Sequence, residues 1–468
     1  MNYRKFFAIT FLAFIILSPR VNALEVMSST NVDKGIFSYE KANASEYDFS
    51  YTDTDDLGQE TEQYYKIVLY PENFSISKKI VFSTSDDGDI KVFLPDEKVV
   101  SLNYQYVGDD ASGSDYIGKV KTSAEDPIHI VGGALINSDE IQVVGSDFVN
   151  NTVSSSVVVS GDNFRSHVLG GAMFSDANIG SIIGDFVANQ AIIETDTTFN
   201  NVDIWSYGGA IFNVADIESI SGNYIGNHVD ATATGAGVEA WASAGAIYNW
   251  NGHIKNIRSN FIGNYAKATG YEADARGYNG ALYNDGQIDN ILGDFIGNYV
   301  SVSAQGTDVD AHALGAAIEN RGYLGNVVGD FIGNHVVAEV DDNDVKAKSF
   351  SSGGAIYNEG GISSITGDFI GNYVEGKSEI VGGAIFTVGS SEEGTSFVNN
   401  ISGNFIDNYA KASGEGGVAL GGAIFVDGGE IGFTADGGVN RFSGNYVEDE
   451  NGNKTNNAIY VNNHGGDG

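Results

Sequence analysis

The chain contains no cysteine and only four prolines in 468 residues. Without cysteine no disulfide can form, so the fold must be stabilised by a packed core. The prolines stand at positions 19, 71, 95 and 127, and none follows. Because proline lacks the N–H that a sheet ladder requires, this distribution permits long uninterrupted sheets after residue 127.

Basic residues are also scarce, with 24 Lys and Arg against 62 Asp and Glu, which gives a formal net charge of −38. A field of this sign repels nucleic acid and anionic lipid, so neither is an expected partner. It attracts cationic partners and divalent ions instead. A hydrophobic content of 42% argues against a disordered acidic chain.

Apolar runs long enough for a helix are absent after residue 23. Residues 1–23 predict a signal peptide, with Arg4 and Lys5 at its start, an apolar stretch at 6–17, and small residues before a cleavage point after Ala23. The apolar stretch is too short to span a bilayer, and the alternative is an uncleaved anchor. We therefore expect an exported protein without a transmembrane helix.

The rest of the sequence is dominated by a repeat, shown most clearly by GGAIYN at 353–358 and FIGN at 369–372. The alanine of the first motif recurs after 38, 38, 36, 35, 36, 38, 29 and 39 residues, at Ala134, Ala172, Ala210, Ala246, Ala281, Ala317, Ala355, Ala384 and Ala423. The aromatic residue of the second motif recurs at Phe148, Phe186, Tyr224, Phe261, Phe295, Phe331, Phe369 and Phe405. Such a period predicts stacked units, that is, a solenoid.

The residues within a repeat indicate strands. Apolar runs are short, β-branched or aromatic, and are interrupted by Gly, Asn and Asp, as in 362–370. The sequence therefore predicts an all-β parallel β-helix of nine repeats at 131–447. A non-repeating N-terminal cap or small β-domain at 24–130 precedes it, and a polar C-terminal end at 448–468 follows. Each repeat forms either one coil with a protruding hairpin or two coils.

The alternating motifs resemble the repeats of the chlamydial-type polymorphic outer membrane proteins. GGA[ILM] stands at 132–135, 170–173, 208–211, 353–356, 382–385 and 421–424, and FxxN at 148–151, 186–189, 261–264, 295–298, 331–334, 369–372 and 405–408. The resemblance implies a right-handed β-helix, an autotransporter passenger and an adhesin. That family also carries a translocator barrel, which the residues after 447 are too few to encode. We therefore expect part of a longer autotransporter or a passenger-like protein secreted alone.

Two polar columns are candidate sites. The asparagines of the second motif predict a hydrogen-bonded ladder along the axis rather than a ligand-binding stripe, at Asn151, Asn189, Asn227, Asn264, Asn298, Asn334, Asn372 and Asn408. The residue before each aromatic is Asp or Asn. Asx turns account for this column, and weak calcium binding is the alternative, with Asp294, Asp330 and Asp368 as candidates and Asp341, Asp342 and Asp344 in an acidic loop. No catalytic residue and no other cofactor is predicted.

The segments between the motifs vary, and they carry Trp205, Trp241, Tyr271 and Tyr278 beside acidic residues. Aromatic residues often anchor recognition surfaces, and insertions on a solenoid line up along one side. A cell-surface adhesin that binds a protein or a glycan is therefore expected. The alternative is a secreted polysaccharide lyase or glycoside hydrolase, which should concentrate unusual residues in two or three adjacent repeats. No repeat stands out in this way at the level of sequence.

Overall fold

The computed structural model describes residues 165–462 except 341–346, 390–395 and 435–439. It also describes parts of 128–164 and separate strands before residue 128. Every secondary-structure element in these parts of the chain is a β-strand. The predicted all-β parallel β-helix is thereby confirmed. The predicted signal peptide and the loop with Asp341, Asp342 and Asp344 lie outside the described residues.

Each repeat supplies five strands, and each strand pairs in parallel with its counterparts in the neighbouring repeats. One repeat illustrates the order, with strands Ile318–Asn320, Tyr323–Val328, Phe331–Ile332, His335–Val340 and Lys348–Ser352. These strands belong to five sheets, numbered 1 to 5 in this order. Eight consecutive repeats supply a strand to all five sheets, and the ninth supplies strands to sheets 1 to 4. One repeat is therefore one coil.

The strands of each sheet, in chain order, are as follows. Sheet 1 contains Ile80–Thr84, Ile90–Phe93, Leu135–Asn137, Met173–Ser175, Ile211–Asn213, Ile247–Asn249, Leu282–Asn284, Ile318–Asn320, Ile356–Asn358, Ile385–Val388, Ile424–Asp427 and Ile459–Asn462. Sheet 2 contains Glu25–Val26, Ile141–Gly145, Ile179–Ile183, Ile217–Ser221, His253–Arg258, Gln287–Leu292, Tyr323–Val328, Gly361–Thr366, Phe397–Ser402 and Glu430–Phe433. Sheet 3 contains Phe148–Val149, Phe186–Val187, Tyr224–Ile225, Phe261–Ile262, Phe295–Ile296, Phe331–Ile332, Phe369–Ile370, Phe405–Ile406 and Phe442–Ser443.

The remaining sheets follow the same pattern. Sheet 4 contains Asn103–Val107, Thr152–Val158, Gln190–Asp196, His228–Thr234, Tyr265–Tyr271, Tyr299–Gln305, His335–Val340, Tyr373–Gly376, Tyr409–Ala412, Tyr446–Glu448 and Lys454–Thr455. Sheet 5 contains Ile128–Val131, Phe164–Leu169, Val202–Tyr207, Val238–Ser243, Asp274–Tyr278, Asp310–Leu314, Lys348–Ser352, Glu379–Val381 and Val418–Leu420. A separate antiparallel sheet contains Asn31–Val32, Gly35–Lys41, Phe49–Thr54 and Glu60–Leu69.

The non-repeating region before residue 131 also contributes to the coils. Its strands Glu25–Val26, Ile80–Thr84, Asn103–Val107 and Ile128–Val131 pair in parallel with the first-repeat strands of sheets 2, 1, 4 and 5. The four-stranded antiparallel sheet lies in the same region of the chain. The parallel pairing continues the ladders at this end of the solenoid, where an unpaired edge would otherwise be open to other chains.

Two hydrophobic cores run along the axis. Sheets 1, 2 and 3 form the first, a core of large side chains such as Ile318, Val327 and Phe331. Sheets 4 and 5 form the second, which is built mainly from alanine and valine, for example Ala311 and Val336. The two strands around the second core form an arch, because their hydrogen bonds run to neighbouring coils and not to each other. We call this part of the coil the outer lobe.

The outer lobe explains why the repeats vary in length. In the repeat shortened to 29 residues, its strands contract to Tyr373–Gly376 and Glu379–Val381, while all five sheets continue. Of the two alternatives left open by the sequence, the structure therefore agrees with one coil per repeat that carries a protruding segment. The segment is an arch instead of a hairpin, because its two strands pair with neighbouring coils and not with each other.

Ladders of identical side chains stabilise the body of the coil. The Nδ2 atom of Asn334 donates to Oδ1 of Asn372 over 3.0 Å and to the carbonyl oxygen of Phe295 over 2.9 Å. The same pattern links all eight predicted asparagines and Asn445. The phenylalanines stack beside them, with the ring centroids of Phe331 and Phe369 4.7 Å apart.

A second asparagine ladder was missed by the sequence analysis. It follows the GGA motif, where Asn284 donates from Nδ2 to Asn320, and Asn320 to Asn358, each over 2.9 Å. The glycines of the motif allow the chain to turn into this strand. A Cβ on Gly354 would lie 2.0 Å from the carbonyl oxygen of Gly383, and Gly353 has a φ of +61°.

Candidate functional site: a corner between two sheets

Sheets 5 and 1 meet at the GGA motif and enclose a re-entrant corner. The middle residue of each sheet 1 strand points away from the first core, but most of these side chains are buried; for example, Tyr357 is only 6% exposed. The last residue of the preceding sheet 5 strand covers them, and the ring centroid of Tyr207 lies 4.7 Å from that of Tyr248. The sheet 1 column comprises Phe174, Phe212, Tyr248, Tyr283, Glu319, Tyr357, Phe386 and Phe425.

We call this column, the residues two positions after its members (Trp250, Asp285, Arg321 and Glu359) and the outward-facing residues of sheet 5 the corner strip. Sheet 5 contributes two columns beside the covering residues. The first is largely charged, with Arg165, Asp203, Glu239, Asp274, Asp310 and Lys348. The second is aromatic or basic, with His167, Trp205, Trp241, Arg276, His312 and Phe350.

The corner strip contains all three tryptophans of the chain and three of its seven arginines. The ring centroids of Trp205 and Trp241 lie 5.2 Å apart on adjacent coils. Trp250 meets the ring of Phe212 edge to face at 6.2 Å. The sequence predicted that Trp205, Trp241, Tyr271 and Tyr278 line up on one side of the rod.

The structure brings three of these four residues together. Tyr278 meets Trp241 edge to face at 5.5 Å, whereas Tyr271 lies at the far end of a sheet 4 strand and is exposed. Trp250 and Tyr207 were missed because they directly follow or directly precede the motifs that build the coil. Only the angle between sheets 5 and 1 places them beside Trp205.

Two tryptophans carry an arginine and an acid in the same arrangement. The guanidinium of Arg165 lies 5.1 Å from the Trp205 ring centre and pairs with Asp203 at 3.1 Å. On the next coils Arg276 lies 4.9 Å from the Trp241 ring centre and pairs with Glu239 at 3.2 Å. Burial raises the pKa of Asp203, although Arg165 acts in the opposite direction. Each pair is half-buried, so its charges are only partly screened by water.

Stacking along the axis occupies the faces of these rings. His167 and Trp205 stack at 4.5 Å with planes 8° apart, and Trp241 lies on the next coil. A ring held in this way offers its edge to a partner and not a flat platform. The corner strip therefore offers ring edges and paired charges to a partner, while the indole N–H of Trp241 already donates to Glu239.

One repeat breaks the aromatic column of the corner strip. Glu319 occupies the position between Tyr283 and Tyr357, and its side chain is 0% exposed. Its Oε1 atom accepts a 2.8 Å hydrogen bond from Nε of Arg321, while its Oε2 atom has no hydrogen-bond partner among the described residues. Burial raises the pKa of Glu319 to about 7, and Arg321 only partly opposes this shift. This repeat therefore differs from its neighbours at one position of the corner strip.

The Asp and Asn residues before the aromatics form a ladder on the outside of the corner between sheets 2 and 3. The backbone N–H of Asp330 donates to Oδ1 of Asp294 over 2.9 Å, and that of Asp368 donates to Oδ1 of Asp330 over 2.8 Å. One oxygen of each of these two carboxylates thus serves the fold. Over the described parts of the chain, no three His, Asp or Glu residues are grouped so as to hold a metal ion.

A second outward aromatic surface runs along sheet 4. Its rings stack at 4.5–5.3 Å over seven consecutive coils, at His228, Tyr265, Tyr299, His335, Tyr373, Tyr409 and Tyr446. These residues directly follow the motif asparagines, a regularity that the sequence analysis overlooked. Burial lowers the pKa of His335, which also contacts the carbonyl oxygen of Gly333.

Comparison of the chain with protein-family models, curated proteins and solved structures gives no significant match in any of the three. Within the described residues, no helix has the length and apolar character needed to cross a membrane.

Proposed function

We propose that the protein is an exported cell-surface β-helix that binds a partner through the corner strip, as an adhesin or surface-interaction protein. One observation carries the proposal: all three tryptophans and three of seven arginines gather in a single concave strip. Tryptophan, tyrosine and arginine are the residues that most often dominate binding energy at protein interfaces.

Other features of the chain support this location and this role. The basic start and apolar stretch of residues 1–23 favour export, and the repeats resemble those of autotransporter passengers with adhesive function. We place the protein in the secreted fraction or on the cell surface, and with the outer membrane if it belongs to a longer autotransporter. Its partner is a protein or a glycan presented on a cell surface.

The test is a cell-binding assay and a glycan array with the full chain and with the double variant Trp205→Ala/Trp241→Ala. Tyr271→Ala is the matched control, because Tyr271 is an exposed aromatic residue outside the corner strip. The double variant should bind at least about tenfold more weakly while Tyr271→Ala binds as the parent does. Equal binding by all three, with unchanged melting temperatures, would overturn the proposal.

The alternative, a polysaccharide lyase or glycoside hydrolase, is favoured by one feature. Glu319 and Glu359 both contact Nε of Arg321, at 2.8 and 3.4 Å, so two carboxyl groups meet at one point of the corner strip. Glu319 has no exposed surface, however, so a substrate would reach it only after the Arg321 side chain moves aside. Release of reducing sugar from acidic polysaccharides, abolished by Glu359→Gln, would establish the enzyme.

A further inference from the structure

The buried carboxylate of Glu319 lacks a hydrogen-bond donor. Its Oε2 atom is inaccessible to water and has no partner among the described residues. An unsatisfied buried acceptor of this kind destabilises the folded chain, and more so when it is charged. Aromatic residues fill the same position in the neighbouring coils, so the fold does not require a carboxylate here.

The surroundings of Glu319 carry an excess of negative charge. Glu359 and Asp285 are the two carboxylates whose charges act on it, and Arg321 is the cation that opposes them. Tyr278, Tyr283 and Tyr357 complete the site, and the Tyr357 hydroxyl donates to Oε1 of Glu359 over 2.6 Å. The site thus contains three carboxyl groups and one guanidinium, and tyrosine rings surround it.

The mouth of the site is formed by Arg321 and Glu359, whose side chains are 39% and 32% exposed. A ligand therefore meets these two groups first and reaches Glu319 when the Arg321 side chain moves aside. The acids do not form a metal cage, since no metal-holding group exists among the described residues. The missing donor, the excess negative charge and the tyrosine faces together match an organic cation.

We propose that Glu319, Glu359 and Asp285 form a subsite of the corner strip that takes an arginine or lysine side chain from a basic protein partner. This inference rests on the proposed function, because the subsite lies within the corner strip. A guanidinium or ammonium group supplies the donor that Oε2 lacks and balances the surplus carboxylates. A sugar hydroxyl supplies the donor but does not balance the negative charge. The net charge of −38 further favours association with a basic protein.

The probe is a capped short peptide with one arginine between glycines, compared with the same peptide carrying uncharged citrulline. Binding to the full chain is measured by NMR titration at fixed ionic strength. The variant Glu319→Gln keeps the shape of the side chain and removes its charge. Glu218→Gln is the matched control, because Glu218 is an acid on sheet 2 that pairs with Lys255 outside the corner strip.

The arginine peptide should bind the parent and Glu218→Gln equally, Glu319→Gln at least about tenfold more weakly, and the citrulline peptide should not bind. Equal binding to Glu319→Gln, or equal binding of citrulline, would overturn the subsite. Glycan binding that is lost in Trp205→Ala/Trp241→Ala but unchanged in Glu319→Gln would refute the basic-protein partner and leave the proposed function standing. Peptide binding that requires Glu319, with no loss of cell binding in the tryptophan variant, would refute the proposed function instead.

Discussion

The molecule presents two outward aromatic surfaces, and they differ in regularity. On sheet 4, tyrosine or histidine occupies the same position in seven consecutive coils, and each ring stacks on the next. In the corner strip, the equivalent positions change from coil to coil among tryptophan, arginine, histidine and glutamate. Self-stacking accounts for the regular surface without any partner. No single repeated contact accounts for the irregular surface, and this difference is why we propose it as the binding surface.

Single exceptions within otherwise uniform columns also differ in their surroundings. Tyr224 is the one tyrosine among the sheet 3 aromatics, and its buried hydroxyl has no hydrogen-bond partner among the described residues. Glu319 is the corresponding exception in the corner strip. Both leave a polar atom unsatisfied, but Tyr224 is enclosed in the first core, whereas Glu319 lies behind the mouth formed by Arg321 and Glu359.

The largest effect is expected from breaking a uniform column. Asn334→Leu removes four buried hydrogen bonds, which join the Asn334 side chain to the backbone N–H and Nδ2 of Asn298, the carbonyl oxygen of Phe295 and Oδ1 of Asn372. Their loss should lower the free energy of unfolding by about 5 kcal/mol, measured by denaturant titration. The control Asn290→Ala, on the exposed face of sheet 2, should change it by less than about 0.5 kcal/mol. Similar losses in both variants would mean that the ladder is dispensable.

A smaller effect distinguishes two glycines of one repeat. Gly354→Ala places a Cβ 2.0 Å from the carbonyl oxygen of Gly383, so the coils must separate, at a cost of about 3 kcal/mol. Gly371 has a φ of +61° with nothing within 4 Å of its Cβ position, so Gly371→Ala costs only about 1 kcal/mol of backbone strain. The midpoints of urea unfolding measure both. The reverse order would show that the close approach at the corner is not required.

The titration of Glu319 gives an effect of comparable size. Its pKa rises from 4.5 to about 7 on folding, so between these values the folded chain holds a proton that the unfolded chain has lost. The resulting stabilisation is fully present below pH 4.5 and disappears as the pH rises through 7, an amount of about 3 kcal/mol relative to Glu319→Gln. The facing groups are Asp285, Arg321, Glu359 and the tyrosines at 248, 278, 283 and 357.

The measurement is the free energy of unfolding of the parent and of Glu319→Gln at a series of pH values. As the pH rises, the free energy of unfolding of the parent should fall relative to that of Glu319→Gln. Parallel curves for the two proteins would show that Glu319 titrates at its ordinary pKa in the folded chain.

The smallest effect concerns the exception inside the core. Tyr224→Phe removes the unsatisfied hydroxyl and completes the stack between Phe186 and Phe261, so it should raise the free energy of unfolding by about 1 kcal/mol. Partner binding should not change, because Tyr224 lies away from the corner strip. A destabilised variant would indicate that the hydroxyl has a partner.

Much of the fold could be read from the sequence because the coil uses identical residues at identical places. The recurring Phe and Asn of FxxN predict two ladders, since a fixed period places them one above the other. The second ladder, through Asn320 and Asn358, was available from the same motif but was not recognised. The outer lobe was less predictable, because its segments vary in length and its core uses small residues such as Ala311.

The candidate site could be predicted from the sequence only in part. Trp205 and Trp241 stood out by residue type, but Trp250, Tyr207 and Glu319 join them only through the angle between sheets 5 and 1. That angle is set by packing at the glycine corner and not by local spacing. An alignment of the repeats shows Glu319 at a position that is otherwise aromatic. Only the structure shows that this position is buried.

The most direct test of the account replaces Glu319 with the residue that the column otherwise carries. If the irregular positions of the corner strip serve binding and not folding, Glu319→Tyr should raise the free energy of unfolding at pH 7 by about 1–3 kcal/mol, because it removes a buried unsatisfied carboxylate and restores the stack. The same variant should no longer bind the arginine peptide. A variant that is less stable than the parent and still binds the peptide would contradict the account.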